Sequence, residues 1–419
     1  MTAYGRDFAL AFAAQFWFTL AATFWTHYAR WIGFLGGNEW DVGIIMGGGT
    51  AVALLIRPWL AHSINRFGSR RMWLVGHGFF AAAALANCGL YSLGAGIYLA
   101  QPVAVIGLAL VYAAGLTYIT EISPPERRTA MMGSFGAAGF AGVLVGPYLG
   151  ELLLGGPARG RGEFMQLFAG LAAMLTVASA LVVLMREPKI DRPAEAFNLR
   201  RFAASLKAHW PGPIVWVNFA FGFMMAVPFR LLARYIDHEH LSAVGVGGFF
   251  LFYAGIGIVI RLRMGDWPER RGLSFTVALA LALFAVGMES FTLVSEIRPW
   301  LLAVPALICG TAHAIMFHSM VALTIRPFPA ERRGTGTVLA LMMQDLGSVT
   351  GLPLLGFLAT RNFHWVFHVS AAFAAAAAVF YSYASARDST SAREPAVAEE
   401  PGAFKLADRA SRMGKIPAA

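Results

Sequence analysis

Four arginines and one aspartate stand where charge is most costly. Arg57, Arg230, Arg234, Arg261 and Asp345 lie within or at the ends of apolar runs long enough to cross a bilayer, where an ionisable side chain marks a transport pathway or an internal ion pair. Asp345 lies twelve residues past Arg333, the last arginine before its run. At about 1.5 Å per residue that is roughly 18 Å along a helix. A carboxyl at that depth either carries a coupling proton or is tied to an arginine such as Arg261. Glu289 is the second coupling candidate. Arg230 and Arg234 are one helical turn apart; with Arg30 they either attract an anionic group or snorkel to the interface. His313 and His318 are five apart, off the i, i+4 spacing that suits a shared metal, but each alone can titrate near neutral pH. The string Asp237-His238-Glu239-His240 reads as a solvated turn, with a surface metal as the alternative. The sequence has no G-x-x-x-x-G-K-[ST], H-E-x-x-H or G-x-S-x-G, so neither an enzyme nor an ATP-driven pump is expected, and no cofactor or metal. Cys88 and Cys309 sit in apolar runs and read as core residues.

Holding such groups in place takes long helices. Of 419 residues, 58% are hydrophobic and 13% charged, against roughly 25% charged in a soluble domain. A water-soluble fold is excluded on that ground. Twelve apolar stretches follow one another at 9–31, 42–61, 72–92, 97–120, 130–153, 164–186, 211–235, 244–262, 273–294, 299–324, 335–359 and 363–385, each near the roughly 20 residues that span a bilayer. The expected fold is an all-α integral membrane protein, with twelve transmembrane helices in two six-helix halves (6+6). The halves fall at 1–186 and 211–385, with a charged linker at 187–210 and a polar, disordered tail at 386–419. If both termini are cytoplasmic, 24 of the 33 Lys and Arg lie on cytoplasmic segments and 5 on the other side. That asymmetry orients the chain and accounts for the net charge of +10 without nucleic acid. The first residues run straight into a long apolar helix, so no signal peptide is expected.

The halves repeat each other. Arg57, Ala61, Asn65 and Gly68 match Arg261, Gly265, Glu269 and Gly272 at an offset of 204, and Ala29-Arg30-Trp31-Ile32 matches Ala233-Arg234-Tyr235-Ile236. Pro124-x-Glu126-Arg127-Arg128 matches Pro329-x-Glu331-Arg332-Arg333 at 205, as do Gly142 and Gly146 with Gly347 and Gly351. At that offset Asp345 meets Phe140 and has no acidic counterpart. Four matches in register point to a duplicated unit, and an even number of spans per unit makes the halves parallel, as in transporters that rock about a central site.

A 6+6 chain with a basic, Gly-containing loop repeated in both halves resembles the major facilitator superfamily over about residues 9–385. Asn65, Arg66, Phe67, Gly68, Arg70 and Arg71 occupy the second half of the family's loop pattern; Ala61 replaces its first glycine and Asn65 its acid, and Gly265 and Glu269 restore both positions in the chain's second half. The resemblance implies gating by Arg57, Asn65, Arg66, Gly68, Arg261, Gly265, Glu269 and Gly272. For Asn65 and Glu269 gating and plain topology are both open; Arg57 and Arg261 read as structural or gating residues rather than substrate ligands. Gly133, Gly142, Gly146, Pro147 and Gly150 follow the fifth-helix pattern of the superfamily's exporters, with Glu151 replacing the final glycine. Small residues and a bend there are expected to form a movable seam between the halves. Gln101 stands where many relatives carry an arginine, so another carboxyl is needed for a proton.

The resemblance further implies a cavity lined by the first and tenth helices. Cavity candidates are Tyr28, Arg30, Arg230, Arg234, His313 and His318, with aromatics of the first helix in its wall, while Glu289 falls on an outer scaffold helix. The function implied is a secondary active transporter of a small organic solute by alternating access, most of all proton-coupled efflux by an antiporter. Uptake by a symporter of an organic acid or sugar is the alternative, and a non-transporting receptor or scaffold the second. Protons, an amphipathic or weakly anionic solute and the lipid bilayer are the expected partners. The expected state is a functional monomer in a plasma membrane, such as the bacterial inner membrane.

Overall fold

The computed structural model describes residues 3–124, 128–156, 159–188, 198–264, 267–329 and 332–391. Those residues fold as helices with no strand, apart from one isolated bridge between Ser295 and Arg298. The first half holds α1 (Ala3–Thr23, prolonged by a 3-10 turn, Phe24–His27, and a further helix, Tyr28–Phe34), α2 (Glu39–Phe67), α3 (Ser69–Cys88), α4 (Ala95–Ile122), α5 (Arg128–Leu154) and α6 (Arg161–Leu184). The second half holds α7 (Ile214–Ala226, a π turn at Val227–Leu231, then Leu232–His238), α8 (Gly245–Met264), α9 (Leu273–Ser290), α10 (Ala303–Ile325), α11 (Arg333–Ala359) and α12 (Phe363–Ser391). Eleven of these are long and apolar enough to cross a membrane. The twelfth, α3, has 20 residues but opens on Arg70 and Arg71 and buries His77 and Asn87. The fold is the expected twelve-helix, two-half arrangement.

A short helix, Leu199–Ala208, occupies the described part of the linker, whose residues 189–197 lie outside the described chain. In the tail α12 continues as helix to Ser391, past the expected boundary at 386; residues 392–419 lie outside the described chain.

The duplication is visible in the backbone. Gly68 joins α2 to α3 at φ +104°, and Gly272, its counterpart, precedes α9 at φ +92°. A side chain is strained there, so glycine is required in both turns. The irregular turns of α1 and α7 also fall in register. In α7 Pro228 removes a backbone donor, which favours a local π turn. In α1 the hydroxyls of Thr23 and Thr26 donate to the carbonyls of Leu20 (2.9 Å) and Thr23 (2.6 Å), competing with the regular ladder.

Glycines set which helices approach most closely, and their roles differ from the expectation. Gly142, Gly146 and Gly150 of α5 pack on α1 of their own half. A Cβ at Gly142 would lie 2.7 Å from the Leu20 amide nitrogen, one at Gly146 2.7 Å from the Leu20 carbonyl, and one at Gly150 2.7 Å from the His27 ring. Gly347 and Gly351 of α11 repeat this against Phe219 and Phe223 of α7. A Cβ at Gly133 would meet nothing within 4 Å among the described residues. The exporter-type glycines therefore close a seam inside the first half, not between the halves. The seams between halves rest on glycines of α2 and α8. Gly43 meets the Leu352 carbonyl of α11, where a Cβ would lie 2.5 Å away, and Gly247 and Gly257 of α8 meet Tyr148 and Phe140 of α5. Gly146→Leu is expected to displace α1 at a cost of about 1–3 kcal/mol or more. It should lower the unfolding temperature in detergent and abolish flux, whereas Gly133→Leu leaves both near wild type.

Candidate functional site

Between the halves lies a cavity of about 2430 Å³. It reaches Asn65, Arg201 and Arg332, all exposed at the end of the bundle that carries the linker, and it is open there. At the far end, Arg30, Glu39, Arg234 and Asp237 do not line it.

Helix α1 contributes a polar stripe to the wall, Gln15, Thr19, Thr23 and Thr26, with Trp25 beside it. Gln15 donates to Thr19 (3.2 Å), and its Oε1 is buried with no partner. The aromatics of α1 mostly point elsewhere. Phe18 stacks on His77 and Tyr28 on Trp25, and Tyr28 donates to Asn87. Tyr28 is thus a core residue, not a cavity residue. Gln101 is fully buried behind the wall, accepting from the Trp25 indole (3.0 Å). The second half contributes Phe221, Phe229, His313 and Phe317 with Arg230 and Arg261.

At mid-depth the halves touch through two equivalent contacts with different chemistry. Arg57 of α2 donates from Nε to Asp345 of α11 at 2.6 Å, with both side chains largely buried (12% and 15% exposed). Adding the repeat offset to Arg57 gives Arg261, and subtracting it from Asp345 gives Phe140. There the Arg261 guanidinium stacks 3.9 Å from the Phe140 ring centroid. An ion pair across one seam is a cation–π contact across the other. Asp345 is paired with an arginine, and the partner is Arg57 rather than Arg261.

The far end is held by a charge network across the halves. Arg30, 4% exposed, donates to both carboxylate oxygens of Asp237 of α7 (2.9 and 3.1 Å) and to Glu151 of α5 (3.0 Å). Its Nη1 also donates to His27 Nδ1 (2.9 Å), which leaves His27 Nε2 to donate to the Pro147 carbonyl (3.0 Å). That carbonyl belongs to the proline-bent turn of α5. Arg159 adds a second pair to Asp237. Burial pushes the Arg159 pKa below its ordinary value, as does Arg30, while Asp237 opposes them. Glu151 accepts from the Gly247 amide at the start of α8 (2.9 Å), where a helix N-terminus favours an anion. Arg234 of α7 pairs with Glu39 of α2 (2.6 Å).

Of the predicted cavity residues, Arg230 and His313 line the cavity, while Arg30 and Arg234 instead form this closure, because their repeat positions face each other's half. Glu289 pairs with His368 at 2.9 Å on a half-exposed surface and does not line the cavity, so it is not placed for coupling. Asn65 and Arg66 are exposed at the open end, and Arg66 lies over Phe67. Arg70 donates to the Val182 and Val183 carbonyls at the end of α6, an anchoring role. His318 lies on α10 and Glu269 on a short helix, Trp267–Arg271, with neither side chain described, and Gly265 lies outside the described residues. The carboxylate of Asp237 is engaged by Arg30 and Arg159 rather than by a surface metal; among the described residues no cluster suits a metal ion.

Sequence reasoning missed Glu39, His27, Glu151, Asp237 and Arg159 as closure residues. Glu151 carried a signal, as an acid replacing a motif glycine. The stripe Gln15, Thr19, Thr23, Thr26 carried another, at helical spacing on an otherwise apolar helix.

Comparison with known proteins agrees with this geometry. The model of the Major Facilitator Superfamily matches residues 7–348, with an overlapping match at 264–414. An uncharacterised MFS-type transporter of Mycobacterium tuberculosis, Rv1250, is 38% identical over 91 residues, 22% of this chain and 15% of that protein. An uncharacterised MFS-type transporter of Bacillus subtilis, YwoD, is 28% identical over 179 residues, 41% of this chain and 38% of that protein. The matches thus span well under two thirds of these relatives. Among solved structures, a POT family transporter in complex with a thioalcohol-conjugated peptide superposes with a TM-score of 0.76 at 12% identity, over 91% of this chain and 96% of that one. The human organic anion transporter MFSD10 gives 0.68 at 14% identity, over 91% and 100%. At such identities the likeness is one of fold. With the family model covering most of its length, the chain belongs to the Major Facilitator Superfamily.

Proposed function

We propose that this chain is a secondary active transporter that carries a small organic anion by alternating access, coupled to protons at Asp345. The charge inside the cavity carries the reading. Five arginines line it, against two carboxylates, Glu121 and Asp345. At mid-depth Arg57 is paired, whereas Arg230 and Arg261 have no ion-pair partner among the described residues. An uncompensated guanidinium in an apolar cavity is costly, and an anionic ligand offsets that cost. Asp345 suits coupling because its hydrogen-bonded partner, Arg57, belongs to the other half, so protonating it loosens a contact that rocking must break.

Export is the direction proposed, on the α5 glycine pattern, with the linker end and both termini in the cytoplasm of a bacterial cell. One chain encloses the whole cavity, so a monomer suffices. Small molecules in cells and medium are compared between a deletion strain, the wild type and an Arg230→Gln strain. An organic anion that accumulates inside the deletion and Arg230→Gln strains and is depleted outside is the expected result. The reverse distribution makes the chain an importer, and a neutral or cationic solute overturns the anion reading.

A further inference from the structure

The broken symmetry at mid-depth leaves one arginine without the acid that its twin possesses. Arg57 has Asp345, while Arg261, in the equivalent place, has the face of Phe140. A ring on the face of a guanidinium fixes its plane but takes none of its donors, so the in-plane edge remains able to hold a carboxylate through two parallel bonds. The Arg261 Nε is buried with no hydrogen-bond partner, and such a group is costly to leave unpaired.

The stacking is built in from both sides. Gly257, one turn before Arg261 on α8, leaves room for the Phe140 ring, which a Cβ there would meet at 2.6 Å; Gly136, one turn before Phe140 on α5, lies 3.4 Å in the same measure from Arg261 Nη1. Each large side chain lies over the other helix's glycine. Around them the cavity wall is aromatic. The His313 ring lies 5.5 Å from Phe140, 5.2 Å from Phe221 and 6.0 Å from Phe317, in edge-to-face arrangements. Tyr253 holds His313 through its Nδ1 at 2.6 Å. All four rings and Arg261 line the cavity.

We infer that Arg261 is a substrate-binding residue and that it receives the carboxylate of an aromatic acid, whose ring packs among Phe140, Phe221, His313 and Phe317. The ligand supplies to Arg261 the carboxylate that Asp345 supplies to Arg57. This inference rests on the organic-anion reading and narrows it to aryl carboxylates. It also makes occupancy sensitive to rocking, because Phe140 and Arg261 belong to opposite halves and the plane that Phe140 fixes is lost when they part.

The test uses the full chain, purified in lipid nanodiscs, and competition against radiolabelled benzoate. Benzoate should compete about five- to tenfold better than cyclohexanecarboxylate, the value of ring–ring contacts beyond area alone, and benzyl alcohol should not compete. Arg261→Gln should lose benzoate binding while keeping its elution volume and unfolding temperature. Phe140→Leu should remove the preference for benzoate over cyclohexanecarboxylate. Equal competition by the two acids in the wild type overturns the aromatic subsite and leaves the anion reading standing. Undiminished benzoate binding by Arg261→Gln overturns the role of Arg261. If neither acid binds, the aryl-carboxylate inference falls, and the anion reading stands or falls on the solute found in cells and medium.

Discussion

Asp345→Asn will uncouple transport without closing the pathway. In proteoliposomes carrying the solute identified in cells, the wild type under an imposed pH gradient should sustain a solute gradient of about tenfold per pH unit for one proton exchanged, since one unit is about 1.4 kcal/mol. Asp345→Asn should fall to equal concentrations on both sides while solute exchange at equilibrium persists. The reason is geometric. Asparagine can still accept from Arg57 Nε but neither binds nor releases a proton, so the contact at 2.6 Å no longer differs between two protonation states. A unit pair about 4 Å apart at an effective dielectric near 20 is worth about 4 kcal/mol before desolvation is subtracted, so the pair is strong enough to bias the halves and weak enough to break. Arg57→Ala is a different lesion. It leaves the carboxylate buried without its cation, and should lower the unfolding temperature more than the double variant Arg57→Gln, Asp345→Asn does. If Asp345→Asn still concentrates solute against its gradient, Asp345 does not carry the coupling proton.

The helices were legible because length and apolarity decide them locally. Twelve runs near bilayer length appear as twelve helices, and even α3, the least apolar, is framed by its neighbours and by Gly68. The repeat was legible as well, since offsets of 204 and 205 survive in residues with a backbone or gating role. Which helices touch was not. Gly142 and Gly146 announce close packing, but spacing along one helix says nothing of whether α1 or α8 fills the groove. Arg57 and Arg261 were recognisable as equivalent positions. That one faces an acid and the other a ring follows from α2 meeting α11 and α5 meeting α8, contacts between residues up to about 290 positions apart in the chain. Arg30 and Arg234 were placed in the cavity because charge at membrane depth usually marks a pathway. The acids that claim them, Asp237 and Glu39, sit at helix ends, where a carboxylate looks like ordinary surface.

Arg30→Ala should open the far end. Arg30 ties three elements there, α1, α5 and α7. It holds Asp237 of α7 with two bonds, Glu151 of α5 with one, and His27 of its own helix. Its loss leaves Glu151 with the Gly247 amide and Asp237 with Arg159, so each acid keeps a partner and the closure is weakened rather than reversed. Breaking a buried, shared ion pair costs about 3–5 kcal/mol, enough to shift a two-state closure by about a hundredfold or more. Thr26 lines the cavity just inside this network and serves as a reporter. A Thr26→Cys variant lacking Cys88 and Cys309 should react with a membrane-impermeant maleimide from the linker side alone. Adding Arg30→Ala should admit the reagent from the far side as well. Arg234→Ala removes a single pair, with Glu39, and should admit much less. Added salt should enhance far-side labelling in wild type more than in Arg234→Ala, because the partly exposed Arg234–Glu39 pair is screened only where it is present, while the buried Arg30 is little affected. Far-side protection that survives Arg30→Ala means that the glycine seams between the halves, not the charges, hold this end shut.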